Sequence, residues 1–246
     1  MQSTDRAKRV VMTGGSSGIG LATAQAFLDE GYEIINLSRR TCPLNSPHLT
    51  SIVIDLADAR ATHEAALSLA AQKPATTIVH CAGAIREQPI EDATLADLND
   101  LANLHLGAAL SLVQANLAAM KQARFGRIVL ISSRAALGLA KRTAYAATKS
   151  GMIGLARTWA LELAVHGITA NVVAPGPIAD TEMFEAIIPA ASAKAAAAAK
   201  QVPVGRFGTP QDVARAVMFF ADPKASFVTG QTLFVCGGTS VGSITY

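Results

Sequence analysis

The chain has 246 residues, half of them hydrophobic and 16% charged, with a mean hydropathy of +0.32. That apolar content excludes global disorder, because burial can offset the ordering entropy of the backbone, and the length suits one α/β domain over 1–246. The net charge of +3 comes from scattered Lys and Arg rather than a run, so no nucleic-acid footprint is present. Cys42, Cys81 and Cys236 are odd in number and lack CxxC spacing, which argues against a disulfide framework or a metal site. The polar start, followed by a short apolar run ending at Gly14, reads as neither a signal peptide nor a membrane span, and a cytoplasmic location is expected.

Short apolar runs at 9–12, 33–37, 51–54, 77–80, 127–131, 169–173 and 232–235 predict seven strands. Helical periodicity fills 18–30, 59–72, 94–122, 143–166 and 210–221, punctuated by Gly31, Pro74, Gly126, Gly167 and Pro223. Strands alternating with helices predict an α/β fold, a doubly wound parallel sheet covered on both faces. Aromatics are only 5% of the chain, so this core must be built from Ala, Val, Ile and Leu. After the sixth strand the rhythm breaks. Prolines accompany an Ala-rich stretch at 190–200, and the segment 178–206 reads as a substrate flap or simply as a surface helix. The Gly, Ser and Thr-rich tail from Gly237 to Tyr246 needs a neighbour to hold it.

Directly after the first strand stands Thr13-Gly14-Gly15-Ser16-Ser17-Gly18-Ile19-Gly20, leading into an amphipathic helix. Glycines in a strand–turn–helix permit a tight turn and close approach of backbone to a pyrophosphate, whose oxygens meet free N–H groups at the helix start. No Gly-Lys-Ser/Thr follows, which excludes a P-loop.

The TGxxxGxG spacing resembles the short-chain dehydrogenase/reductase family, and further motifs over residues 8 to 239 agree. Tyr145-Ala-Ala-Thr-Lys149 matches YxxxK, Ser133 lies twelve residues upstream, Cys81-Ala82-Gly83 resembles NAG, and Asn171-Val-Val-Ala-Pro175-Gly176 resembles N-x-x-x-PG. The resemblance implies a single-domain Rossmann fold in which Ser133, Tyr145 and Lys149 are catalytic. It implies cofactor contacts from Gly14, Ser16, Ser17, Gly18, Ile19, Ser38, Arg39, Arg40, Asp55, Leu56, Cys81, Ala82, Gly83, Pro175, Gly176, Ile178 and Thr181, together with Tyr145 and Lys149. Thr181 sits one residue later than the family's I-x-T-x-M spacing, and Asp55 could equally cap the following helix. His105 occupies the place where the family often has an Asn, and reads either as part of a proton relay or as a satisfied interior group.

Tyr145 and Lys149 are i and i+4 on one helix and project from one face. Bringing a phenol from ~10 to ~7 takes about 4 kcal/mol, roughly what an ammonium ~4 Å away supplies at an effective dielectric of ~20. Lys149 would thus make Tyr145 an acid/base, while Ser133 holds the reacting oxygen. Alternation along the fifth strand puts Ser132 and Ser133 on opposite faces, so only one hydroxyl meets the ligand.

Where NAD-preferring relatives carry an Asp, this chain has Ser38, followed by Arg39 and Arg40, which favours NADP(H) over NAD(H). The expected reaction interconverts a small-molecule carbonyl and its alcohol. Met183, Phe184, Ile187, Ile188 and Val202 of the flap suggest an apolar substrate body. The branch most similar is the 3-oxoacyl-acyl-carrier-protein reductases, whose two carrier-docking arginines correspond here to Arg124 and His166, so carrier docking is not carried over. A catalytically silent NADP-binding sensor is the other class, opposed by the intact Ser133, Tyr145 and Lys149. The resemblance implies a homotetramer. Small residues agree with close helix pairing: Ala108, Ala109, Ala115, Ala118 and Ala119 on one helix, Ala146, Ala147, Gly151, Gly154 and Ala160 on the next.

Overall fold

The structure is a computed structural model that describes residues 8–186 and 193–241. Seven parallel strands form one sheet in the order β3-β2-β1-β4-β5-β6-β7: β1 (Arg9–Thr13), β2 (Glu33–Ser38), β3 (Leu49–Val53), β4 (Thr77–His80), β5 (Gly126–Ile131), β6 (Ile168–Pro175) and β7 (Thr232–Val235). The order reverses between β1 and β4, the switch point at which open α/β sheets bind ligands beyond the carboxyl ends of their strands.

Period-two alternation explains the two-sided core. Val11, Ile78, Ile128, Leu130 and Val172 face α2 (Ala59–Gln72), α4 (Ala108–Ala123) and α5 (Thr143–Leu163), meeting Ala66, Leu112 and Met152. Val10, Met12, Val79, Val129 and Val173 point the other way, onto Phe27 of α1 (Gly18–Asp29) and Val213, Val217 and Phe220 of α8 (Pro210–Ala221). The start of α8 is fixed by a reciprocal Thr209–Asp212 capping box with Pro210 in its first turn, and Asp58 caps α2 through the Ala61 N–H.

The continuous helix expected over 94–122 is interrupted. Helix α3 (Leu95–Ala102) passes through a π-helical turn, Asn103–Gly107, before α4 begins. A π turn inserts one residue into the helix and slips the apolar pattern by one position, too small a change to stand out in a stretch this rich in Leu and Ala. Its effect is local: His105 is turned inward and fully buried. In the flap, α6 (Glu182–Glu185) and α7 (Ala193–Lys200) are short helices, and Ile187 and Ile188 lie outside the described residues, as does Tyr246. Val202 is buried against the tail, where a Cβ on Gly237 would come within 2.7 Å of its methyl group.

His80 ends β4 in complete burial. Its Nδ1 lies 2.9 Å from the Thr13 hydroxyl, which itself accepts from the Cys81 and Ala82 N–H groups and therefore donates to the ring. Burial, with the Lys149 charge second, holds His80 down to about 3 from its ordinary 6.5. The unfolded chain then binds a proton that the native state refuses between these values, so stability is full above pH 6.5 and falls as the pH drops towards 3. Urea unfolding should lose roughly 3 kcal/mol by about pH 4 from this one group. His80→Asn, whatever its absolute stability, should have a flatter profile across that window, and an unchanged slope would refute the assignment.

Candidate active site

The first strand ends in a turn that only glycine fits. Gly14 has φ +73°, and a Cβ there would lie 2.8 Å from the Ala82 backbone; one on Gly20 would collide with the Gly14 carbonyl. These contacts press the 14–20 loop against the 81–83 loop, and the Thr13 hydroxyl joins them at 3.1 and 3.0 Å to Cys81 N and Ala82 N. Ser17, the N-cap of α1, makes no side-chain capping bond, and the first turn holds no acidic residue. Ser16, Ser17, Gly18 and Ile19 thus offer open N–H groups at a positive helix end, a cradle that fits a pyrophosphate. Thr181 closes it from the flap, its methyl 3.1 Å from where a Gly18 Cβ would stand, while its hydroxyl caps α6 by accepting from Phe184 N.

The second strand opens the far end of the cleft. Ser38 lines it but is buried, donating at 3.1 Å to Asn36 Oδ1, which also accepts from Gly15 N. Arg39 and Arg40 are exposed beside it. Arg40 bonds the Glu182 carboxylate at 2.8 and 2.9 Å and reaches Ser17 Oγ at 3.3 Å, whereas Arg39 has no ion-pair partner among the described residues. Asp55 does not cap α2, which Asp58 does; it folds the turn by accepting from Ala57 N and lines the cleft with buried Leu56.

Helix α5 brings Tyr145 and Lys149 to the cleft. Ser132 donates to the Lys149 carbonyl at 2.7 Å, tying α5 to β5, and Ser133 faces Tyr145. Lys149 is 3% exposed and donates to the Ile131 carbonyl at 2.7 Å, with no carboxylate beside it. Burial draws its pKa down to about 8. The coupling expected from spacing takes a different form here. The Lys149 ammonium stands 5.7 Å from the Tyr145 ring centroid, and burial raises the phenol, with Ser133 and then Arg142 acting in opposition. Tyr145 is held protonated, the form that gives a proton to a carbonyl oxygen. Burial also pushes the Cys81 thiol up to about 12, so it is inert.

His105 joins two walls of this site. Its Nε2 accepts from Ala84 N at 3.3 Å, which leaves the proton on Nδ1 to meet the Thr148 hydroxyl at 2.8 Å. Burial and the nearby Lys149 keep the ring neutral far below the ordinary histidine range. The ring also packs edge-on against Tyr145, with centroids 5.8 Å apart.

Pro175, Gly176 and Ile178 line the wall opposite α5, Gly176 packed so closely on Cys236 that a Cβ would lie 2.7 Å from that residue's own. The cleft as a whole encloses about 750 Å³. Beyond Tyr145 it is lined by Ile85, Leu101, Leu104, Leu139, Met183 and Phe184, and by Arg86, Arg134 and Arg142. No motif marked those arginines; Arg134 directly follows Ser133, and Arg142 stands one helical turn before Tyr145. Arg124 and His166 lie at the other edge of the sheet, where β5 and β6 begin, and line no part of this cleft.

Residues 14–240 match a family model described as Enoyl-(Acyl carrier protein) reductase. The chain is 34% identical over 237 residues to the 3-oxoacyl-[acyl-carrier-protein] reductase MabA of Mycobacterium avium, covering 96% of this chain and 91% of that one. Its fold is similar to that of an oxidoreductase of the short-chain dehydrogenase/reductase family from Burkholderia thailandensis, with a TM-score of 0.84, 30% identity and coverage of 96% and 94%. It is similar also to ElxO with NADP bound, with a TM-score of 0.85, 28% identity and coverage of 94% and 98%. With the Gly-rich turn, the YxxxK helix and the 3-2-1-4-5-6-7 sheet all in place along nearly the whole sequence, the chain belongs to the short-chain dehydrogenase/reductase family.

Proposed function

We propose that this enzyme is an NADP(H)-dependent reductase that interconverts a ketone or aldehyde and its alcohol. The observation that carries the reading is the meeting of Ser133, Tyr145 and Lys149 at the carboxyl ends of the strands, in one cleft with the glycine cradle. The 1–246 chain acts as one dinucleotide-binding domain with 178–206 as its flap. Bound in the glycine cradle by Ser16 to Ile19, NADPH would supply the hydride for the carbonyl carbon. The Ser133 hydroxyl donates to the carbonyl oxygen and orients it. Tyr145 gives its phenolic proton to that oxygen as the alkoxide forms, and takes it back in the oxidation direction. Lys149 keeps a positive charge beside the phenolate so formed. His105 serves as a neutral brace between the 81–84 loop and α5, since both ring nitrogens are already engaged.

Selectivity for NADP(H) is supported by two exposed guanidiniums after β2 and by the absence of a carboxylate at Ser38. Reduction of 3-oxoacyl groups on a carrier protein is the second reading, favoured by the likeness to MabA, although Arg124 and His166 lie away from the cleft mouth. A homotetramer is supported by exposed Leu110, Leu161 and Val165 on and beside α4 and α5, and by Phe227 before β7. Ala108, Ala109 and Ala160, by contrast, pack within the subunit. The three cysteines are free and no described helix is long and apolar enough to cross a membrane, in keeping with a cytoplasmic enzyme.

Tyr145→Phe should lower ketone-dependent NADPH oxidation by roughly 10²–10⁴-fold while cofactor affinity is retained, because only the proton-transfer group is removed. A variant keeping more than about a tenth of the rate would exclude Tyr145 as the acid. Arg39→Ala should raise the NADPH KM by about 10- to 100-fold, the loss of one charge-assisted phosphate contact. Arg40→Ala should cost less, because Glu182 already neutralises that guanidinium; equal effects would show that both arginines carry the phosphate. Light scattering should give about four times the 25.4 kDa chain mass, and a monomer would refute the tetramer.

A further inference from the structure

The substrate end of the cleft holds three guanidiniums, and their partners differ. Arg142, buried, gives Nη2 to the Glu87 carboxylate at 2.7 Å and Nη1 to the Lys141 carbonyl at 3.4 Å. Arg86 gives Nε to Asp97 at 3.1 Å and Nη1 to the Ile85 carbonyl at 3.3 Å. Arg134 is half-buried, lines the cleft, and among the described residues has neither a hydrogen-bond nor an ion-pair partner. Asp100 also lines the cleft, from α3, but it is exposed and bonds none of the three.

An unpaired cation in this position constrains what fills the space. The same cleft is lined by apolar Leu101, Leu104, Leu139 and Phe184, so an occupant that covers both these and half-buried Arg134 displaces water from the guanidinium. An uncharged occupant would leave the guanidinium desolvated and without a counter-ion, which is strongly unfavourable. A carboxylate would match the planar fork with two parallel charge-assisted hydrogen bonds. Arg134 is the residue next to Ser133 and both line the cleft, so one bound molecule could present an anion to the first and its reacting oxygen to the second. Resting on the reductase reading above, we infer that Arg134 is an anion-recognition residue and that the substrate is an oxo acid, or its hydroxy acid, with an apolar body and a carboxylate.

The test uses the NADP+-loaded protein, which binds a ketone without reducing it. Oxooctanoates with the carbonyl at the second, fourth or fifth carbon are compared by calorimetry with their methyl esters, in the native protein and in Arg134→Gln and Arg134→Lys. At least one acid should bind ten times more tightly than its ester. In Arg134→Gln that ratio should collapse to near one, and Arg134→Lys should keep part of it, since an ammonium retains the charge without the fork. No acid preferred over its ester in the native protein, or a preference that survives Arg134→Gln, overturns the inference. NADPH oxidation in the same series separates the two readings. Turnover of acids and esters alike sinks the carboxylate site and leaves the reductase, whereas acid-selective binding without NADPH consumption does the reverse.

Discussion

The chemistry of this fold turns on one buried cation. Lys149 sits beneath the carboxyl ends of the strands, held by the Ile131 carbonyl, and among the described residues no carboxylate pairs with it. Burial first and the Lys149 charge second keep the two nearby histidines neutral, while the same charge pulls the Cys81 thiol down against the larger effect of its burial. His80 and His105 stay unprotonated, and the site is assembled from hydroxyls, backbone carbonyls and neutral rings.

Hydrogen bonds that secure this arrangement run across the sheet rather than along it. Thr13 of β1 holds the loop after β4 and the ring of His80; His105 of the π turn holds the same loop to Thr148 of α5; Ser132, directly after β5, holds α5 itself. The two histidines are separated by 25 positions in sequence yet serve one short segment, 81–84: His105 accepts from Ala84 N directly, and His80 accepts from the Thr13 hydroxyl that holds Cys81 and Ala82. The positions of Tyr145 and Lys149 thus follow from three hydroxyl groups that never touch a substrate.

How much of this was readable in the sequence depends on how local each signal is. Strand alternation and Pro or Gly punctuation placed β4 and β7 at their observed bounds and the others within two residues, because burial on both faces leaves an apolar run that no helix would break so early. Gly14 and Gly20 were legible because a tight turn needs them. The π turn was not, since a slip of one position is hard to see where Leu and Ala occupy nearly every face of the helix. Ser38 was read as a cofactor contact from its position, yet its hydroxyl turns to Asn36, a bond between neighbours that spacing does not reveal. Arg134, Arg142 and Glu182 belong to the cleft only because distant segments fold together there, and no periodicity announces a residue whose role depends on what lies opposite.

The ion pair between Arg40 and Glu182 joins the loop after β2 to the first helix of the flap, 142 positions away. It therefore ties the two ends of the cleft to a single guanidinium. Glu182 and Ser17 engage only Nη2, so a phosphate at Arg40 would meet Nη1 and Nε and share the guanidinium with that carboxylate. Any anion bound there would thus compete for charge with the contact that anchors Glu182–Glu185.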